Sequence, residues 1–287
     1  MTVLSESSAA DRTCVREAVG ETLPRMAISR REFLQAGVAV GVGANLGFAQ
    51  QARPLLGLIA PPADYPIPPE GLALYDSSIR FSVVGLGLKT MTPEGYDSVI
   101  DKIVPAAVEL KNRGAVAIDL LGTSLTFYRG AAFNEKLIGD IRKATGLKVT
   151  SMSTAVIDGL KAVGAKRVAA ATAYNEEVNR RLRVFLTESG FEVVAMKGLG
   201  LEAIGDPGKV TQAELHKFSG DVFKQAPKAD ALLVSCGGLR TLEILAPLEQ
   251  ETRVPVVSSL PHSLWAGMRL LGLNVKAPGY GRLLANG

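Results

Sequence analysis

The sequence predicts an α/β protein, and three observations point to it. From Pro54 onward, short apolar runs alternate with helical patterns bounded by capping residues, as expected for βα units around mainly parallel sheets. With 287 residues and 47% hydrophobic content, the chain can bury one large core or two smaller ones. Two of its units also look like copies of each other: VAIDLLGTSLTF and ALLVSCGGLRTL both pass from an apolar strand through three small residues to Leu and a helix. Gly122 and Cys236 then hold equivalent places 114 residues apart, and KVTSMSTAVIDGL and RVPVVSSLPHSLWAGM repeat the correspondence downstream. The expected architecture is two pseudo-symmetric Rossmann-like half-domains, each a mainly parallel sheet flanked by helices, with the site in the cleft between them.

Taken in order, LLGLIAPP reads as a first strand stopped by Pro61 and Pro62, and RFSVVGLGL as a second. Thr92, Pro93 and Glu94 supply an N-cap and a first-turn proline. Tyr96, Val99, Ile100, Ile103 and Ala107 continue at helical spacing to Gly114, with a bend expected at Pro105. AVAIDLLGTS, KVTSMSTAV, KRVAAATAY, FEVVAMKGL, ADALLVSCGG and VPVVSS are the further strands, each leading into a helix. The approximate boundaries are residues 53–165 with 260–287 for one half and 166–259 for the other.

The first 52 residues read differently. MAISRREFLQAGVAVGVGANLGFAQQA has the layout of an export signal: twin arginines in Ser29 to Leu34, an uncharged apolar run, then small residues. The run from Ala36 to Ala49 is short of the roughly 20 residues of a membrane span, so no stable span is expected after cleavage near Ala49 or Ala52. Met26 would give a standard signal length, and Cys14 then leaves the mature chain. Periplasmic export is the expectation, with a cytoplasmic protein as the alternative.

Composition narrows the partners. A net charge of +4, without Lys/Arg runs interleaved with aromatics, argues against nucleic acid. Neither Cys14 nor Cys236 stands in metal-ligand spacing with His216 or His262, so no metal site is expected. GLGLKT lacks the phosphate-loop spacing, and no GxGxxG follows the first strand. His216 reads as surface, and His262, after Pro261 at a helix start, as a cap or wall.

The paired turns are where chemistry is expected. Backbone N–H groups at the start of a helix after a parallel strand favour an anion, and Gly122-Thr123-Ser124 adds two hydroxyls. On the other turn Cys236 precedes Gly237 and Gly238, where a helix terminus would lower the thiol's pKa. A lone cysteine after a buried strand is by itself more often a small apolar filler. Its pairing with the Gly122 turn shifts the balance towards function.

GLGL with MTPEGYDSVI, LLGTSLTFYRGAAFN, TSMSTAV, ATAY, SCGGL and the terminal PGYGRL together resemble the bacterial arylmalonate decarboxylases of the aspartate/glutamate racemase superfamily. The resemblance runs from about Pro54 to Leu283. It implies a carboxy-lyase that needs no cofactor, acts on a small dicarboxylate and is expected to be a monomer. Racemases of the superfamily place one thiol on each turn; here Gly122 replaces one of them, which favours the decarboxylase. The resemblance implies that Cys236 donates the proton and that Gly122 leaves room for the substituent. Thr123, Ser124, Tyr174 and the backbone of Cys236 and Gly237 would hold one carboxylate. The other would lie against Leu88, Met91, Leu125 and Ile204, with Pro61 and Tyr96 on the walls. A racemase or cis–trans isomerase of the superfamily, or an exported small-carboxylate binder, are the competing readings.

Overall fold

The computed structural model describes residues 53–287; the twin-arginine segment, Cys14 and Met26 lie outside the described residues. The first half runs β1 (Leu55–Ala60), α1 (Pro69–Tyr75), β2 (Arg80–Gly85), α2 (Pro93–Asp97), α3 (Ile103–Asn112), β3 (Ala117–Leu120), α4 (Thr123–Phe127), α5 (Ala131–Thr145), β4 (Lys148–Ser151) and α6 (Met152–Ala162). The second half runs β5 (Arg167–Thr172), α7 (Glu176–Glu188), β6 (Glu192–Gly198), α8 (Gln212–Lys224), β7 (Ala231–Ser235), α9 (Leu242–Thr252) and β8 (Val256–Ser258). Two further helices, α10 (Ser259–Leu271) and α11 (Arg282–Asn286), complete the chain.

Each half carries a four-stranded sheet, ordered β2-β1-β3-β4 and β6-β5-β7-β8, and every pairing is parallel. β3 and β7 hold the same place in their sheets, as do the edge strands β4 and β8, so the internal repeat is a repeat of topology. β1, β3 and β7 are buried along their whole length, which is why they read as unbroken apolar runs rather than alternating ones. In the first half α3 and α5 pack on one another, on β1 and on β4, while α8 and α9 do the same for β5 and β8 in the second.

The single helix expected after Thr92 is three pieces: α2, a 3₁₀ turn at Ile100–Lys102, and α3. Thr92 caps the first as expected, its side chain accepting the Gly95 N–H. Pro105 does not bend a helix. It sits in the first turn of α3, where the missing N–H has no intrahelical carbonyl to lose.

The helix α10 follows the last strand of the second sheet yet packs on β3, β4 and α6 of the first half. Its Ser263 Oγ lies 2.7 and 2.9 Å from the two oxygens of Asp119, a fully buried carboxyl in the middle of β3. Burial pushes Asp119 up to about 7, only partly offset by the Ser263 hydrogen bond. A carboxyl raised in the folded state costs nothing below its unfolded pKa and costs progressively more as pH climbs towards the folded value. Asp119→Asn is therefore expected to match the parent protein in stability at pH 4 and to exceed it by a few kcal/mol at pH 7.5. Urea unfolding at the two pH values measures this, and a gap that stays constant with pH would rule it out.

Candidate active site

A cavity of about 290 Å³ opens at the carboxyl ends of the strands of both sheets. Its wall takes Pro61 from the end of β1, Leu88 and Met91 from the loop after β2, and Gly122, Thr123, Ser124 and Leu125 from the turn after β3. Tyr174 comes from the end of β5, Ile204 from the loop after β6, and Cys236 and Gly237 from the turn after β7. Eleven of the twelve residues singled out from sequence thus share one cavity. The exception is Tyr96. It is fully buried on the core side of α2, its ring 5.0 Å from that of Tyr128.

Two loops of different halves close the cavity beside Met91 and Ile204. Met91 N–H donates to the Glu202 carbonyl at 2.7 Å and Ile204 N–H to the Lys89 carbonyl at 2.9 Å, around an antiparallel bridge between Thr90 and Ala203. These bonds bring two apolar side chains from separate halves into the same wall, a placement that no local pattern in either loop encodes. Sequence reasoning also missed Asp64 and Tyr65 in the proline-rich segment after β1, and Met152 at the start of α6. Met152 stood in the quoted TSMSTAV motif. Its Sδ and Cε lie 3.0 Å from where a Cβ on Gly237 would stand.

Gly122 is required twice over. Its φ is +93°, in the left-handed region, and a Cβ there would stand 2.5 Å from Pro61 Cγ. Thr123 and Ser124 open α4, a helix of only five residues, so the anion-favouring feature of this turn is its hydroxyls more than a helix dipole. The Tyr96 hydroxyl is buried without a hydrogen-bond partner among the described residues. The Tyr174 hydroxyl lies 3.2 Å from Ser235 Oγ, and burial pushes it well above the usual tyrosine range.

Cys236 corrects the expectation of a lowered pKa. α9 begins only at Leu242, so no helix terminus faces the thiol. Burial pushes it up to about 11, against the smaller downward effect of the Gly238 and Leu239 N–H groups at the sulfur. A thiol so raised is protonated at neutral pH. The Cys236 N–H, expected at the carboxylate, donates to Ser259 Oγ at 3.0 Å.

His262 is fully buried, with Nδ1 3.0 Å from the Ser258 N–H it accepts, and burial holds it down at about 4. It is a cap on α10 rather than a cavity wall. His216 is half-buried on α8, its Nε2 3.7 Å from a Glu251 oxygen. The cavity wall contains neither Lys nor Arg, and Asp64 is its one charged residue. Among the described residues no helix is long and apolar enough to cross a membrane.

The family model described as arylmalonate decarboxylase matches residues 56–284. Arylmalonate decarboxylase of Bordetella bronchiseptica is 46% identical over 235 residues, covering 82% of this chain and 98% of that protein. Among solved structures, a glycine-to-cysteine, cysteine-to-serine variant of arylmalonate decarboxylase in liganded form superposes with a TM-score of 0.78 at 45% identity, over 80% of this chain and 98% of the other. A maleate cis-trans isomerase of Nocardia farcinica has a TM-score of 0.75 at 21% identity, over 82% of this chain and 99% of the other, a likeness of fold alone. The chain belongs to the arylmalonate decarboxylase family and is a carboxy-lyase of two parallel α/β half-domains.

Proposed function

We propose that the protein decarboxylates disubstituted aryl- or alkenylmalonates to the monocarboxylic acid without a cofactor, through an enediolate protonated by Cys236. The observation that carries this reading is a buried thiol kept protonated opposite a hydroxyl-bearing turn, in one cavity. One carboxylate binds to the hydroxyls of Ser124 and Tyr174 and to the Gly237 backbone, while Thr123, whose hydroxyl proton goes to Ser259 Oγ, sets the turn that carries Ser124. The other lies against Leu88, Met91, Leu125 and Ile204, where water is scarce and a charge is poorly solvated.

The bond from the α-carbon to that second carboxylate breaks, CO₂ leaves, and the electron pair passes to the α-carbon and its remaining carboxylate. Donors already in place stabilise the resulting enediolate without reorganisation. An aryl or alkenyl substituent beside Gly122 delocalises the charge further. The Cys236 S–H proton then goes to one face of the α-carbon, and solvent returns a proton to the thiolate. A second thiol, needed for two-face proton exchange, is lacking at Gly122, which favours this reading over a racemase or isomerase.

Purified mature chain is expected to release CO₂ from an α-aryl-α-methylmalonate with no added cofactor, as measured by coupled CO₂ detection. Thermal stabilisation by malonates without turnover would favour a binding protein instead. We further propose a monomer, exported by the twin-arginine segment at Ser29 to Leu34. Retention in the cytoplasm of a reporter fused after Ala52 would overturn the export.

A further inference from the structure

Ser259 lies outside the cavity wall, fully buried as the first residue of α10. Its Oγ receives two donors from two different sheets. Thr123 Oγ1–H, on the turn after β3, donates to it at 2.7 Å, and Cys236 N–H, on the turn after β7, at 3.0 Å. Both lone pairs of one hydroxyl oxygen are thereby used. Thr123 is fixed from behind as well, since its carbonyl accepts Ser153 Oγ–H at 2.9 Å and Thr126 Oγ1–H at 3.0 Å. The Thr123 side chain is then oriented by Ser259, and so is the Cys236 backbone that carries the sulfur. The helix that begins at Ser259 returns from the second sheet to pack on the first, so the clamp stands where the halves are tied together.

We propose that Ser259 is a positioning residue: its hydroxyl holds the thiol-bearing turn and the hydroxyl-bearing turn in register across the cavity. The proposal rests on the roles given above to Cys236 and to the Thr123–Ser124 turn. Binding of substrate needs the apolar wall, the Ser124 and Tyr174 hydroxyls and the Gly237 backbone, none of which hydrogen-bonds to Ser259. Charge stabilisation and proton delivery need both turns at the right separation. Losing the clamp therefore acts on kcat and on the face protonated more than on KM.

The test uses the mature full-length chain. Ser259→Ala is expected to lower kcat by about 10–100-fold, the scale of a misplaced reacting group, with KM changed by less than about threefold and product optical purity reduced. Ser259→Thr, which keeps the hydroxyl, recovers most of the rate. The double variant Ser259→Ala with Thr123→Val is expected to be no slower than Thr123→Val alone, because the two residues act as one unit. A second arm does not depend on turnover: iodoacetamide alkylation of Cys236 at pH 8, followed by peptide mapping, should run about fivefold or more faster in Ser259→Ala and unchanged in Ser259→Thr. Should Ser259→Ala fail to fold, Ser259→Cys, a weaker acceptor, carries the same expectations. A folded Ser259→Ala with parental kcat and alkylation rate, or effects that simply add to those of Thr123→Val, overturns the clamp. If the parent chain shows no decarboxylation, the proposed function fails and the alkylation arm alone decides the clamp.

Discussion

Cys236→Ala is expected to reduce CO₂ release from an arylmalonate by roughly 10²–10⁴-fold, the usual contribution of a positioned proton donor. The residue is nearly buried and small, so alanine takes its place with little loss of packing, and circular dichroism should show an intact fold. The pH dependence is a sharper test. With the thiol pushed up to about 11, the donor form persists throughout the neutral and mildly alkaline range, and the sign is that of an acid catalyst. The rate should stay level as pH rises from 7 to 9 and fall only as the thiol itself titrates. A thiol titrating near 7, seen as a rate decline centred there or as rapid alkylation at that pH, would contradict a buried proton donor. Full activity in Cys236→Ala would remove the thiol from the mechanism altogether.

Gly122→Cys is expected to have the second large effect, and on two observables at once. A side chain here meets Pro61 Cγ at 2.5 Å and must adopt a φ of +93°, so overpacking and backbone strain each cost about 1–3 kcal/mol. For a domain of this size that corresponds to a fall in Tm of roughly 5–15 °C. Adding Pro61→Ala removes the closest contact and should return part of that loss. Chemically, the new thiol faces the opposite side of the α-carbon, so the variant should decarboxylate more slowly and gain the ability to racemise an α-aryl propionate. Deuterium exchange at the α-carbon and chiral chromatography measure both. A folded variant whose product keeps its optical purity would mean that the two turns do not address opposite faces.

The parts of the fold that could be read from sequence are those where burial dictates composition. LLGLIA, AIDL and ALLVS are buried on both faces, and only unbroken apolar runs satisfy such strands. The pairing of Gly122 with Cys236 was legible because the same strand-turn-helix unit occurs twice. The break between α2 and α3 was not, because Val99, Ile100 and Ile103 keep helical spacing across it. The wall role of Tyr96 came from the family resemblance, which does not report that the ring is fully buried in the core. Spacing also cannot report the solvation of a sulfur. The helix-terminus argument for Cys236 was qualitatively sound, but the helix starts six positions too late and burial prevails. Ser259 ended a strand-like VVSS and carried no motif, because its role lies in two partners that are 136 and 23 residues away.

The absence of Lys and Arg from the cavity wall governs how the protein meets its ligand in solution. A site that captures a dianion with cations draws it in over a Debye length, about 8 Å at physiological ionic strength, and loses that attraction as salt is added. With the carboxylate held as proposed, recognition falls to short-range hydroxyl and amide dipoles, whose reach ends at contact. Association should therefore be slow for so small a ligand, yet nearly indifferent to ionic strength. Discrimination between a dianion and a monoanion then rests on the shape of the apolar wall, not on counted charge.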